Sequence, residues 1–402
     1  MHATARNHPQ LIGWLSLAQL ISWGSVFYAF SLLLEPVERE LGLSRAQSSL
    51  GFSLALLAEG LLAYPVGRLI DRGHERAVMT GGSLLLALCL ALHSGIHSMA
   101  GFYAVWLGLG AGLAATLYPP VFAVVIRRFP NDFRRAIITI TFLGGLASTV
   151  FIPLTAWLIQ ALGWRQALLV LAALQLLVCA PLHALVLRHA PPGQTHVANQ
   201  AAASVPLKHH LLSAPFLLVG LFIVLLMAVT AALPAHMVSL LRENGLAETW
   251  VIAVPAAIGV LQVLGRLLLY FFEQHLDLHL ANRLIPGLIP LGLLALLAAP
   301  WFGSAQVTLV LLFVLLYGMG NGMLTIVKGT AVAEYVDRSQ VASLNGALGV
   351  PMALGRATAP WLLGLLWAPS GGYAAGLWLM LGLSLIGVVA LARAQQLARQ
   401  RR

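Results

Sequence analysis

Long apolar runs alternate with short polar breaks along the whole chain. Twelve apolar stretches, centred near residues 22, 58, 86, 114, 148, 176, 226, 261, 291, 318, 354 and 382, stand out. Each approaches the ~20 predominantly apolar residues that a helix needs to cross a bilayer. In lipid a spanning segment must satisfy its backbone groups internally, so the pattern predicts an all-α membrane protein with twelve transmembrane helices. The first stretch shows no signal-peptide cleavage pattern and reads on as a full span, so nothing need be removed. The longest polar interruption contains Pro191-Pro192-Gly193 followed by a run of Ala, Asn, Gln and Ser. It divides the helices six and six, which predicts an N-terminal bundle over 1–187, a cytoplasmic linker over 188–212 and a C-terminal bundle over 213–402.

A weak internal repeat supports that division. Pro65-Val66-Gly67-Arg68-Leu69 is echoed by Val263-Leu264-Gly265-Arg266-Leu267, and Thr155-Ala156-Trp157-Leu158 by Ala359-Pro360-Trp361-Leu362. Repeated membrane bundles with a site at their interface are a common plan. Glycines inside the spans, such as Gly108, Gly110 and Gly112, then Gly318, Gly320 and Gly322, predict close helix packing. Pro119-Pro120, Pro153, Pro234, Pro255 and Pro351 each remove a helix hydrogen bond and predict kinks.

Composition fits a membrane protein: 59% of residues are hydrophobic and only 9% charged. The net charge of +10 raises the question of a nucleic-acid partner, but its distribution answers against one. Arg68, Arg72 and Arg76, then Arg127, Arg128, Arg134 and Arg135, then Arg188 and Lys208 fall in alternate breaks, and Arg283, Arg338, Arg393, Arg399, Arg401 and Arg402 continue the series. The opposite breaks hold few: Arg39, Arg45, Arg165 and Arg242. This positive-inside asymmetry puts both termini in the cytoplasm and directs the basic surface at anionic lipid. Cys89 and Cys179 both fall inside apolar runs, which predicts two buried thiols and no disulfide framework.

Between the second and third spans lies Gly67-Arg68-Leu69-Ile70-Asp71-Arg72-Gly73-His74-Glu75-Arg76, the densest charge in the chain. Gly67-x-x-x-Asp71-Arg72 with Arg76 downstream resembles the loop signature between helices 2 and 3 of the major facilitator superfamily, although Gly73 follows Arg72 directly where the family usually has one residue between. With the twelve spans, the linker and the repeat, the resemblance covers essentially the whole chain. It implies two pseudo-symmetric six-helix bundles and a secondary transporter. Glu40-Leu41-Gly42-Leu43-Ser44-Arg45, Gly51-Phe52-Ser53-Leu54, Leu316-Tyr317-Gly318-Met319-Gly320-Asn321-Gly322 and Gly371-Gly372-Tyr373 resemble the bacterial monocarboxylate and oxalate–formate type branch. In monocarboxylate transporters a helix 8 Arg, four residues after an Asp, is implicated in anion binding and proton coupling. Arg266 matches the Arg, Gln262 stands at the Asp position, and the first helix offers no Lys for the family's lysine.

An ionisable side chain within a span costs ~2.5–3.5 kcal/mol even on insertion scales, so each is a functional candidate. Here they are Glu59, Arg266, Lys328 and Arg356. At the helical rise, Arg356 is expected roughly 20 Å beyond the cytoplasmic start of its helix and Arg266 about 7 Å to the cytoplasmic side of its midpoint. Lys328 is expected in the cytoplasmic third, where it can snorkel to water. A guanidinium binds a carboxylate bidentately, so the two arginines favour an organic anion. Glu59 is a candidate for proton exchange; the alternative for it, as for Arg266, is a structural pairing. Gln19, Trp23 and Tyr28, Thr116 and Tyr118, Asn321 and Thr325, and His236 add polar groups on helices 1, 4, 7 and 10, which line the cavity in the resembled family.

The expected substrate-binding set is therefore Arg356, Arg266, Gln262, Tyr28, Tyr118, Asn321 and Lys328, with Glu59 for proton coupling. Gly67, Asp71, Arg72 and Arg76 form the expected gate, Asp71 closing on the amino end of helix 11. Glu334 and Asp337 are expected in ion pairs at the end of helix 10. His275-Leu276-Asp277-Leu278-His279 and the pair His93 and His97 have helical metal-ligand spacing, but their setting predicts an interfacial loop and no metal site. No phosphate-cradling loop or nucleophile elbow occurs, which predicts neither an enzyme nor a cofactor. The expected protein is a monomeric, proton-coupled carrier of a small organic anion in the bacterial inner membrane. An efflux pump for a drug, metabolite or metal conjugate, and a non-transporting receptor, are the alternatives.

Overall fold

The computed structural model describes residues 8–129, 133–188, 210–272, 278–336 and 341–400. Most of the expected linker, the stretch from Glu273 to Asp277 with His275, and Asp337 lie outside the described residues. The rest is almost wholly helical. The spans are α1 (Gln10–Leu41), α2 (Arg45–Asp71), α3 (Glu75–His93), α4 (Met99–Arg128), α5 (Arg135–Leu162) and α6 (Trp164–Val186). They continue with α7 (Ala214–Glu243), α8 (Glu248–Leu269), α9 (Leu280–Trp301) and α10 (Gly303–Lys328), whose helix runs on to Tyr335. A short helix, Val341–Ala347, then leads into α11 (Gly349–Leu365), and α12 is Ala374–Gln400. Eleven of these are long and apolar enough to cross a membrane, whereas α11 has 17 residues.

Local chemistry sets the ends. Ser44 and Gln47 close a capping box at the start of α2, with Gln47 N–H to Ser44 Oγ at 3.3 Å and Ser44 N–H to Gln47 Oε1 at 2.9 Å. Gly42 at φ 64° and Gly245 at φ 76° turn the chain out of α1 and α7 in the left-handed conformation that only glycine adopts freely. Inside the spans, α1 carries a π-helical turn at Trp23–Tyr28 and α6 one at Gln175–Cys179. Gln175 Nε2 donates to Ser25 Oγ at 2.9 Å, so the two turns meet in a buried bond. In α4 the helix breaks at Leu117, directly before Pro119-Pro120.

The chain divides into two compact units, Met1–Val197 and Ala198–Arg402. In the first, α4 lies on α2 and α3. Gly110 touches the Ala55 backbone, Gly112 faces Leu86, and Phe30, Phe52, Phe102 and Trp106 fill the layer behind, Phe30 stacking on Phe52 at 4.5 Å. In the second, α10 lies on α8 and α9, with Gly322 touching the Gln262 backbone and Gly265 close to Met319. There α7 packs against α11 at Gly355 and against α12 at Gly387. Small residues at these crossings let backbones meet, and packing then supplies the cohesion that lipid, as apolar as the side chains, cannot.

The two crossings reveal the register of the repeat. Ala55 and Gly110 correspond to Gln262 and Gly322, so one turn further along Glu59 corresponds to Arg266. The sequence echo of Gly67-Arg68 in Gly265-Arg266 is therefore displaced by more than two helical turns. A second correspondence caps the opposite end of the units: Trp164 Nε1 donates to Glu40 at 2.6 Å, and Trp367 Nε1 to Glu243 at 2.9 Å.

A methyl group at Gly110 or Gly322 would run into main chain, which cannot step aside. Overpacking of this kind costs about 1–3 kcal/mol or more. Gly110→Val and Gly322→Val are expected to lower the thermal midpoint in detergent and the monodisperse yield. Gly287→Ala, where an added carbon meets nothing within 4 Å, is expected to leave both unchanged.

Candidate functional site

At the end of the first unit that carries the α2–α3 loop, the organising group is Glu75, the first residue of α3. It is completely buried and pairs with two arginines from the end of α4. Arg128 Nε donates to Glu75 Oε1 at 2.6 Å, and Arg127 Nη1 approaches Oε2 at 3.4 Å. Each arginine also caps another helix: Arg127 donates to the Ile70 carbonyl at the end of α2, and Arg128 to the Leu187 carbonyl beyond α6 at 3.1 Å. Cations at helix C-termini and an acid at a helix N-terminus are both favoured by the helix dipole. Arg76 adds a bond from Nε to the Ala184 carbonyl at 2.7 Å. Of the expected gate, Arg72 and Arg76 are exposed and Gly67 and Asp71 half-buried. The buried acid of the loop is its neighbour Glu75, which the charge pattern had not singled out. Its signal was an acid in a first helical turn together with the Arg127-Arg128 pair closing the next helix.

The second unit repeats this arrangement without the charge. Asn282, at the start of α9, donates to the Tyr335 hydroxyl at 2.7 Å, and Gln395 in α12 donates to the same oxygen at 3.2 Å. Arg283 Nε donates to Gln395 Oε1 at 2.8 Å, in the place that Arg76 takes in the first unit. Burial raises the Tyr335 pKa above its ordinary value, so the hydroxyl at the centre of this network keeps its proton across the physiological range. The same three helix ends are thus joined in both units, around a buried carboxylate in one and around a neutral hydroxyl in the other.

Midway along the first unit, Gln19 Nε2 donates to the Thr116 carbonyl at 2.5 Å, joining α1 to the broken part of α4. Trp23 packs on Tyr118 at 5.2 Å, and Tyr118 stacks on Phe122 at 5.3 Å. Tyr28 is half-buried against Phe27 at the end of the π turn. Glu59 is 7% exposed on α2, one turn beyond the Ala55 crossing. His93 is buried among Phe102, Trp106 and Trp164, and His97 Nδ1 lies 3.3 Å from Arg165.

In the second unit the expected residues separate into two groups. Gln262 is buried, with its backbone against Gly322, and Arg266 Nε donates to the Gly322 carbonyl at 3.3 Å, so both belong to the α8–α10 crossing. Asn321 is half-buried beside them. Lys328 and Arg356 form the second group, where α7, α10 and α11 converge. Lys328 Nζ lies 3.5 Å from Met227 Sδ of α7 and close enough to Arg356 for the two charges to repel. Arg356 is about 10 Å into α11 at the helical rise, half the depth expected, because the short helix Val341–Ala347 is separate and α11 begins at Gly349. It lies next to Gly355, which faces Val224 and Ala228 of α7. His236, fully buried in α7, bridges to the Pro360 carbonyl of α11 and to Tyr373.

The sequence matches the Major Facilitator Superfamily over residues 15–276. Monocarboxylate transporter 13 of Bos taurus is 30% identical over 313 residues, which cover 72% of this chain and 69% of that protein. An MFS-type efflux pump of Mycolicibacterium smegmatis is 30% identical over 207 residues, 49% of this chain and 48% of the pump. The solved structure of a bacterial homolog of the human lysosomal transporter Spinster, inward-facing and unoccupied, aligns with a TM-score of 0.71 at 17% identity, over 98% of this chain and 97% of that one. The nucleoside transporter NupG aligns with a TM-score of 0.68 at 15% identity, over 98% and 99% of the two chains. The chain belongs to the major facilitator superfamily. It is a multi-pass membrane protein and a secondary transporter, which binds a small-molecule substrate and lies in a lipid bilayer.

Removing one partner of a buried ion pair leaves an uncompensated charge and costs about 3–5 kcal/mol. Glu75→Ala is therefore expected to destabilise the first unit severely. Tyr335→Phe, which removes a neutral acceptor, is expected to cost about 1–3 kcal/mol. Thermal unfolding of the two purified variants side by side checks the order.

Proposed function

We propose that this transporter carries a small organic anion, such as a monocarboxylate, across the bacterial inner membrane together with a proton, by alternating access. The observation that carries the proposal is that two half-buried cations lie against the same stretch of α7: Lys328 Nζ is 3.5 Å from Met227 Sδ, and Arg356 follows Gly355, which faces Val224 and Ala228. α11 and α12 carry no Asp or Glu, and in the helices of α7 and α10 the acids, Glu243 and Glu334, stand only at the last turn. Two like charges held together in apolar surroundings are unfavourable, and a carboxylate between them offsets the repulsion while matching the planar guanidinium. The monocarboxylate transporter among the relatives supports the same substrate class. Arg266 is assigned a supporting role at the α8–α10 crossing, with Gln262 and Asn321 beside it, while Tyr28 and Tyr118 contribute polar groups from the first unit. Glu59 is the carboxyl proposed to exchange a proton there, and Gly67, Asp71, Arg72 and Arg76 are proposed to gate the cytoplasmic side, on which both termini lie.

A second reading, efflux, is favoured by the relative in Mycolicibacterium smegmatis over half of the chain. Uptake of lactate and oxalate by protein reconstituted into liposomes separates the two. Loss of a charged hydrogen bond is worth about 1.5–3 kcal/mol, so Arg356→Ala and Lys328→Ala are each expected to weaken half-saturation on the order of tenfold to a hundredfold. Arg266→Ala is expected to act mainly on stability. Saturable uptake that neither Arg356→Ala nor Lys328→Ala changes sinks the anion reading.

A further inference from the structure

His236 lies two residues after Pro234 in α7 and is inaccessible to solvent. Its two ring nitrogens are committed to different elements. Nε2 is 2.9 Å from the carbonyl of Pro360 in α11, and Nδ1 is 3.0 Å from the hydroxyl of Tyr373, just ahead of α12. A carbonyl can only accept, so Nε2 carries the hydrogen. Nδ1 of the neutral ring is then the acceptor, and the Tyr373 hydroxyl donates to it. The bonded face of Tyr373 also packs edge-on to the imidazole at 5.3 Å.

The partner at Nε2 is mechanically significant. Pro360 has no N–H, so it cannot donate to the Arg356 carbonyl one turn earlier, and α11 is softened between the two residues. His236 therefore grips α11 at its proline, about 6 Å along the helix axis from the arginine of the cation pair. The partner at Nδ1 leads outward. Tyr373 follows Gly371-Gly372, and Gly372 lies against the exposed carboxylate of Glu243. The other titratable or charged groups carried by the elements packed against α7 are Arg356 on α11, Tyr317, Lys328, Glu334 and Tyr335 on α10, Glu248 and Arg266 on α8, and Arg393 and Arg399 on α12. Of the two ring partners named above, Tyr373 is the titratable one.

We propose that His236 is the proton-carrying residue of the second unit, loaded through Tyr373 and coupled to the anion at Arg356. The inference rests on the anion reading above. In the loading step Tyr373 passes its hydroxyl proton to Nδ1 and takes one proton from hydronium in the aqueous solution at the Glu243 end, which is left as water. The phenol is regenerated and the imidazole gains one positive charge. As an imidazolium, His236 donates at both nitrogens, so Tyr373 must turn from donor to acceptor and the bond to Pro360 strengthens. An anion one helical turn away stabilises that charge, and by reciprocity the charge stabilises the anion. Substrate and proton then favour each other's binding, as cotransport requires.

The test uses the full chain in liposomes, with labelled lactate and oxalate as probes. A proton gradient of about one pH unit can raise accumulation up to about tenfold, because one unit is a factor of ten in the equilibrium. His236→Gln keeps a hydrogen-bonding side chain but does not titrate. It is expected to abolish the gradient-driven accumulation while counterflow, which needs no net proton movement, continues. Tyr373→Phe is expected to slow gradient-driven uptake and spare counterflow. As a readout independent of variant folding, the His236 ring resonance of isotope-labelled wild-type protein is expected to titrate at higher pH when lactate or oxalate is added. Gradient-driven accumulation that persists in His236→Gln and vanishes in Glu59→Gln overturns the inference and leaves the anion reading standing. A His236 titration unmoved by a carboxylate that the protein transports does the same. If wild-type protein carries and binds neither probe, the anion reading falls and this inference falls with it.

Discussion

Two places where helix backbones touch hold the architecture together. Gly110 on Ala55 and Gly322 on Gln262 bring α4 onto α2 and α10 onto α8 with no side chain between. Lipid offers no hydrophobic incentive for helices to associate, so intimate packing must supply it. Those crossings set the rotation of each helix about its axis, and hence which residues point inward. Glu59 and Arg266, one turn beyond the two crossings, occupy matching positions because of that register. The unlike charges at matching positions make the two units chemically distinct despite their shared fold.

Beyond the crossings, each unit ties the same three helix ends with a polar knot. In the first, one buried carboxylate serves two guanidiniums that also cap α2 and the end of α6. In the second, a tyrosine hydroxyl collects two amides, and an arginine bonds one of those amides in turn. Buried polar groups are favourable only when every member finds partners, which makes these knots strong determinants of how the ends assemble. The charged and neutral versions bear differently on stability, since the ionic one fails when any single charge is lost. At the opposite end the Trp164–Glu40 and Trp367–Glu243 bonds repeat closely, with Arg165 added in the first unit only.

The proposed function rests on residues where the repeat is broken. Lys328 and Arg356 lie together beside α7, and His236 links α7 to the proline that follows Arg356 by one turn. The fold places a titratable ring, a softened helix and a pair of cations within a short stretch of the same unit. In the proposed cycle this assembly couples a proton to an anion through one helix, α11.

The order of apolar and polar runs determined the membrane class and its helices, because a spanning helix satisfies its own backbone and declares itself locally, while the loop from Gly67 to Arg76 carried the likeness to the family. The ionisable residues within spans were equally legible, since each stands alone in an apolar run. Partnership was not. Glu75 meets Arg127 across 52 residues and His236 meets Tyr373 across 137, and neither separation leaves a periodic trace. The register of the repeat is hidden for the same reason: the five-residue likeness at Gly265-Arg266 gives one alignment, and the backbone contacts of the packed helices give another. Which charges are neighbours, and which helix each proline weakens, is decided by helix rotation and close approach, and those are properties of the tertiary structure alone.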